Sequence, residues 1–463
     1  MKKTIAVIGG GVTGLTAAFR LKQAGQEVTL FEAGERAGGV IRSVQRDEWL
    51  AECGPNTMLE TSAAITRLVE DEDLGIAQLR RDASPLGGTR FILKKGKAVM
   101  LPGSPAGFLT TSLFSFSAKL GLAMEPFRSR LAADADEESL ADFVRRRLGQ
   151  EFLDYAINPF VAGVYAGDPE NLSVKYGFPK LYALEQKYGS MIKGQILGAR
   201  QRRKEGRVTK DRAKQLSFDG GLQVLTDALA DYLAGALRLN TAVIRLAKTE
   251  DGRWLLESEK GMVADFFDEV VLALPAYRLA ELKFDHAGNP AGDELALDSL
   301  KEIVYPPVSS VVLGFRRDQV QHSLAGFGTL NPEVEKVNTL GTLFTSSLFP
   351  ERAPEGHVLL TTYVGGARSP DLALRPEDER VHLVMEDLRK IYGITGEPVF
   401  EHSFLYPRAI PQYEVGYGRF LETMQDFEAK HSGIHLAGHC RDGISLADSI
   451  VSGEKMVEKL SAK

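Results

Sequence analysis

The stretch TIAVIGGGVTGLTAAFRLKQAGQEVTLFEA, Thr4–Ala33, constrains the fold of this chain more than any other. An apolar run, Thr4–Ile8, stops at three consecutive glycines. Leu15, Ala18, Phe19 and Leu21 then recur at helical spacing, Gly25 ends that pattern, and Glu27–Phe31 is a second strand-like run. In this strand–turn–helix–strand context Gly9-Gly10-Gly11-Val12-Thr13-Gly14 matches G-x-G-x-x-G informatively. Gly9 permits the tight turn, Gly11 lets the backbone approach a pyrophosphate, and Gly14 lets helix and strand pack closely. The N–H groups of Val12 and Thr13 open the helix, where phosphate is favoured. Glu32, followed by Ala33, ends the second strand and is placed to bind ribose hydroxyls. The predicted class is α/β with a Rossmann-like dinucleotide-binding domain. The glycines alone leave NAD and FAD both open.

The chain, at 463 residues, is long enough for two or three domains. With 25% charged residues and a net charge of −6, nucleic acid is not an expected partner. Cys53 and Cys440 are the two cysteines, too few and too far apart for a zinc site or disulfide framework; no metal is expected. The N-terminal MKKTIAVIGGG imitates a signal peptide, but glycines interrupt its apolar run, so it is read as a strand and turn. No uninterrupted apolar run is long enough for a clear spanning helix. EVVLALP (Glu269–Pro275) and GIHLAG (Gly433–Gly438) read as further strands. VSSVVLGF and HVLLTTYVGG read as strands of a larger mixed sheet, and Leu101 to about Gly198 reads as helical. Ala199–Lys214 holds eight Lys or Arg against two acidic residues; it is a solvated connector or a surface for anionic headgroups.

Past Glu32, the run EAGERAGG carries Arg36, Gly38 and Gly39 and resembles the N-terminal fingerprint of FAD-containing amine oxidases. In that group the arginine and glycine pair lie along the flavin's diphosphate and ring, so the resemblance implies FAD. TRFILKKGKAVMLP, NPFVAGVYAGDPENLSVKYGFPKLYALEQKYGSMIKG, FDGGLQVLTDAL, NTLGTLFTSSLFPERAP and AGHCRDGISLADSIVSG follow in that order. Together they resemble the oxygen-dependent protoporphyrinogen oxidases nearly end to end. The TLGTLF…FPERAP block looks more like the plant and mitochondrial type than the coproporphyrinogen-oxidising type.

That resemblance implies six-electron oxidation of protoporphyrinogen IX to protoporphyrin IX in three two-electron steps, with O2 reduced to hydrogen peroxide. Arg90 matches the arginine that pairs with a substrate propionate. Leu330, Leu343 and Tyr363 match the residues that sandwich the tetrapyrrole; family members often have Phe at the last position. Asn56 matches an asparagine near the reacting face, and Gly163 a glycine that leaves room beside the macrocycle. Val243 matches a position where backbone lies against adenine. No side-chain base is nominated. The resemblance further implies non-covalent FAD, a cytoplasmic enzyme with peripheral contact to the cytoplasmic membrane, a homodimer, and a haem-pathway partner such as ferrochelatase. The interleaved division expected is 1–80, 205–275 and 411–463 for FAD; 81–100 and 276–410, a mixed-sheet domain, for substrate; and an inserted helical domain, 101–204. Coproporphyrinogen III oxidation, an amine oxidase-like or carotenoid desaturase-like flavoenzyme, and a non-enzymatic FAD- and porphyrin-binding protein remain the alternatives. Ser309 and Ser310 stand where amine oxidases commonly carry a lysine.

AGHCRDGISLADSI, Ala437–Ile450, places a thiol, an imidazole and a carboxylate side by side. Its pattern is a strand ending at Gly438, a turn, and a helix from near Gly443 or Ser445. The backbone at Gly438, Gly443, Ile444 and Ser445 is then the working part, facing an anion or a flavin edge, and Cys440 is incidental.

Overall fold

A computed structural model describes residues 2–131, 136–204, 213–285 and 296–461. Its first sheet is wholly parallel, ordered Leu237–Arg238, Glu27–Phe31, Thr4–Ile8, Glu269–Leu272, Ile434–Leu436. Alternate residues of each strand serve opposite faces. Ile5, Val7, Leu30 and Val271 pack with the helices Val12–Gln23 and Leu446–Ser461, whereas Ala6, Ile8, Phe31 and Leu272 pack with Leu246, Trp254 and Phe267 of a second sheet. That is why the strands read as continuous apolar runs. The second sheet is Gly261–Phe267, Trp254–Ser258, Val243–Lys248 and Lys283–Asp285. The first helix is buried from Thr13 to Phe19, more completely than a one-faced pattern suggests, because the last helix crosses it closely. A Cβ on Gly453 would stand 2.5 Å from the Thr13 carbonyl oxygen.

A seven-stranded sheet follows the order Phe400–Tyr406, Val308–Arg316, His357–Gly365, Thr339–Leu343, Gly328–Leu330, Arg90–Lys94, Lys97–Met100. It is antiparallel except where Gly328–Leu330 meets Arg90–Lys94. Val311, Leu313, Leu360 and Val364 face the helix Glu377–Tyr392. The opposite face meets strand Trp49–Glu52 through Val312. Between Pro105 and Lys204 the chain is mostly helical, and Asn158–Tyr165 leans on the sheet at Leu330. Buried Glu125 pairs with Arg147 and accepts N–H groups of Met191 (3.0 Å) and Ile192 (3.2 Å), fixing the start of helix Met191–Lys204. Among the described residues no helix is long and apolar enough to cross a membrane. Residues 205–212 of the basic segment lie outside the described residues.

Candidate active site

The glycine turn sits at the carboxyl end of Thr4–Ile8, beside Glu269–Leu272, where the strand order reverses; open parallel sheets bind ligands at that point. Gly9 has φ +108°, and a Cβ there would lie 2.4 Å from the Ala273 carbonyl oxygen. A Cβ on Gly14 would lie 1.9 Å from the Gly9 oxygen. A Cβ on Gly11 would meet nothing within 4 Å, so the one glycine that should approach a diphosphate opens onto free space at the helix start. The first-turn N–H groups there have no intrahelical acceptor. The Glu32 carboxylate accepts from Gly10 N–H (2.7 Å) and Gly34 N–H (2.7 Å), which fixes it beside the turn. Arg238–Thr241 is bonded along Glu32–Gly34, bringing buried Val243 towards the same end, while Ala33 is exposed.

The EAGERAGG loop folds over this turn. Gly38 N–H donates to the Gly10 carbonyl (2.7 Å), and a Cβ on Gly39 would lie 3.2 Å from Gly11 Cα. Arg36 donates to the carbonyls of Ala37, Gly39 and Ile41, so its guanidinium shapes the loop. On the C-terminal side the strand ends at Leu436 and a helical turn, His439–Asp442, precedes the last helix, which starts at Leu446. Ser445 caps that helix, accepting from Asp448 N–H (3.1 Å) and donating to its carboxylate (2.6 Å). Gly438 N–H donates to Ser452 Oγ (2.9 Å) and Gly443 N–H to Tyr413 Oη (3.1 Å), whereas the N–H groups of Ile444 and Ser445 find no acceptor among the described residues. Burial pushes the Cys440 thiol up to about 12 and His439 down to about 4, so neither is charged near neutral pH. Gly11's open cradle, the fixed Glu32 and these free N–H groups fit an FAD diphosphate and ribose.

The second group gathers on one face of the seven-stranded sheet. Cross-strand register places Arg90, Gly328, Leu343 and Thr361 in one row, and Ile92, Leu330, Gly341, Tyr363 and Ser310 in the next. Side chains two apart share a face, so Arg90, Leu330, Leu343 and Tyr363 all project from the same side. Arg90 is exposed at one end, its guanidinium 5.3 Å from the Phe327 ring centre, with no ion pair or hydrogen bond to a described residue. Gly163 abuts this face: a Cβ there would stand 2.3 Å from Leu330 Cδ2. Asn56, only 7% exposed, donates to the Tyr363 hydroxyl (2.7 Å), which in turn donates to the Gly54 carbonyl (3.3 Å). Burial drives the Tyr363 phenol further up, so it stays protonated. Ser309 donates to the Ala373 carbonyl on the far face; Ser310, 1% exposed, has a hydroxyl on the near one with no partner among the described residues.

Sequence reading missed Gly341, Tyr413 and Phe327. A glycine inside a strand signals close approach, and a Cβ on Gly341 would lie 2.7 Å from the Thr329 carbonyl oxygen and 3.4 Å from Leu330 Cδ2. Nothing local marks Tyr413 or Phe327. Among the described residues no cluster of His, Cys, Asp and Glu is arranged to hold a metal.

Residues 12–460 match the family of flavin-containing amine oxidoreductases. The mitochondrial protoporphyrinogen oxidase of Nicotiana tabacum is 36% identical over 477 residues, 97% of this chain and 93% of that protein. Coproporphyrinogen III oxidase of Bacillus subtilis (strain 168) is 31% identical, over 98% of this chain and 97% of its own length. A crystal structure from Exiguobacterium sp. 255-15, provisionally assigned as a protoporphyrinogen oxidase, superposes with a TM-score of 0.80 at 26% identity, covering 100% and 99% of the two chains. With a dinucleotide cradle at the sheet's switch point and an apolar sheet face beside it, this chain belongs to the flavin-containing amine oxidoreductase family and is an FAD-dependent oxidoreductase.

Proposed function

We propose that this chain oxidises protoporphyrinogen IX to protoporphyrin IX with O2 as acceptor, releasing hydrogen peroxide, as a step of tetrapyrrole synthesis. The observation that carries the reading is the sheet face with Arg90, which has no ion pair among the described residues, at one end and Leu330, Leu343 and Tyr363 along it. A porphyrinogen has that outline: a large apolar ring with carboxylates at its edge. Three rounds remove six electrons and six protons and reduce three O2. FAD, held without a covalent bond, supplies the two-electron acceptor in each round. Arg90 grips a propionate through a charge-assisted pair. Gly163 leaves the ring its thickness, and the apolar walls exclude water.

The cofactor part is assigned to 1–80, 205–275 and 411–463, the substrate part to 81–100 and 276–410, and the helical part to 101–204. On the helical part Leu109, Phe116, Leu120, Met124 and Phe127 are exposed, Phe116 by 81%, while Lys119 between them is half-buried and donates to the Leu109 and Thr111 carbonyls. These residues support peripheral contact with the cytoplasmic face of a membrane, which suits a poorly soluble substrate. A homodimer and a ferrochelatase partner belong to the same reading. Coproporphyrinogen III is the second substrate to weigh, on the Bacillus subtilis similarity.

The test is fluorescence gain in air with protoporphyrinogen IX and coproporphyrinogen III assayed side by side. Faster gain with the first supports the proposal and faster gain with the second replaces it. No gain above autoxidation with either removes the enzyme reading. Acid precipitation should leave the yellow colour in the supernatant.

A further inference from the structure

Resting on that reading of the sheet face, we propose that Tyr363 is a positioning residue for Asn56. Its hydroxyl fixes the Asn56 amide so that Oδ1 is kept as the acceptor for N–H groups of the macrocycle.

The amide nitrogen of Asn56 has two hydrogens and two acceptors: the Tyr363 hydroxyl at 2.7 Å and the Gly54 carbonyl at 3.3 Å. The hydroxyl points its own proton at the Gly54 carbonyl, which turns a lone pair towards Asn56. Rotating the amide by half a turn would set Oδ1 against that carbonyl, acceptor to acceptor. Turned over, the amide would keep one bond, from the Tyr363 hydroxyl to Oδ1, against three as it stands, so the network favours this orientation. In it Oδ1 is enclosed and has no donor among the described residues. Buried acceptors are nearly always paired, so an unpaired one held this firmly calls for a donor from a ligand. The hydroxyl that holds it stands on the same sheet face as Leu330 and Leu343. A porphyrinogen presents four pyrrole N–H groups, and an apolar slot alone cannot fix its rotation. An amide oxygen is too weak a base to take a proton; it orients the ring. Phenylalanine at 363 would keep the aromatic wall and lose the lock.

Tyr363→Phe, Asn56→Ala and the double variant are compared with the parent by steady-state kinetics on protoporphyrinogen IX, with FAD content and Tm as controls. Tyr363→Phe should lower kcat roughly three- to tenfold by loss of orientation, with KM within about twofold. In the Asn56→Ala background the same change should lower kcat no further. An unchanged kcat, or the same loss in both backgrounds, overturns the proposal while leaving the porphyrinogen reading intact. A second arm needs no turnover: binding of protoporphyrin IX and of its zinc complex, which lacks N–H groups, followed by fluorescence. The parent should prefer the free base, and Tyr363→Phe and Asn56→Ala should each abolish that preference. A parent indifferent to the two forms overturns the proposal; a parent that neither turns over porphyrinogen nor binds porphyrin overturns the porphyrinogen reading and this proposal together.

Discussion

Glu52 and Arg352 stand 300 residues apart in the chain and meet in a 2.8 Å ion pair from which solvent is excluded. Glu52 also accepts from Ser43 Oγ (2.7 Å) and Leu222 N–H (2.8 Å), and Arg352 donates to Ser217 Oγ (2.5 Å). The pair thus joins strand Trp49–Glu52, which follows the EAGERAGG loop, to the turn Pro350–Arg352, which follows strand Thr339–Leu343 of the seven-stranded sheet. Removing one partner strands a buried charge. Arg352→Ala should cost about 3–5 kcal/mol, read as a lower midpoint in urea unfolding. Replacing both with apolar residues of similar volume, Glu52→Leu with Arg352→Met, should recover most of that loss.

Gly163 and Leu330 are in contact across the helix–sheet boundary, with no room for a methyl between them. The obstructing atom is the end of a flexible leucine side chain, so Gly163→Ala should fold and push Leu330 along the sheet face. We expect kcat/KM to fall about tenfold with little change in Tm. Gly163→Ala with Leu330→Ala should regain part of the activity, which a steady-state comparison of the two variants checks.

Legibility in the sequence tracked distance along the chain. Gly9, Gly11, Gly14 and Glu32 act within one strand–helix–strand unit, so spacing alone located the turn and the carboxylate that the Gly10 and Gly34 N–H groups hold. Arg90, Leu330, Leu343 and Tyr363 sit on four strands of one sheet; only resemblance selected them, because register between distant strands leaves no local mark. Arg36 was legible as a member of the cofactor loop, whereas its three bonds to loop carbonyls were not. The Tyr413 hydroxyl that receives Gly443 N–H, and the Glu52–Arg352 pair, follow from tertiary packing for which no sequence signal exists.

Both thiols are buried and pushed up, Cys53 to about 11 and Cys440 to about 12, chiefly by loss of hydration. The thiolate is the reactive form, so neither cysteine should react with Ellman's reagent in the native protein at pH 7.5. Both should react once urea unfolds the chain. Cys440→Ser should leave porphyrinogen turnover nearly intact, and a large loss of kcat would return the thiol to the site.

Glu269 is buried in the parallel sheet. Burial alone would raise its carboxyl, but hydrogen bonds from His435 (2.8 Å) and Lys3 (2.8 Å) outweigh it and hold the group down at about 2. Glu428 is held at about 2 in the same way by Arg441 and Lys459. A carboxyl lowered on folding contributes stability above its unfolded pKa, about 4.3, and loses it as pH falls through the folded value. Unfolding free energy should therefore hold steady through pH 5–7 and decline from about pH 4.5 towards pH 2. Glu269→Gln should be less stable than the parent at neutral pH and should converge with it near pH 2, as urea titrations across that range would report.

Arg90 offers the most direct test of where the substrate's carboxylate lies. Its guanidinium rests over Phe327 and has no carboxylate partner among the described residues. A charge-assisted pair to a propionate is worth about 1.5–3 kcal/mol, close to a 10- to 100-fold change in affinity. The pair is made equally in the ground and transition states, because the propionate takes no part in the oxidation. Losing it should raise KM and leave kcat nearly unchanged. Arg90→Ala should show that split, and Arg90→Lys should regain only part of the affinity, since an ammonium cannot match the bidentate fork. The dimethyl ester of protoporphyrinogen IX should bind the parent and Arg90→Ala alike. Equal KM for the free acid in parent and Arg90→Ala would place the carboxylate anchor elsewhere on the sheet face.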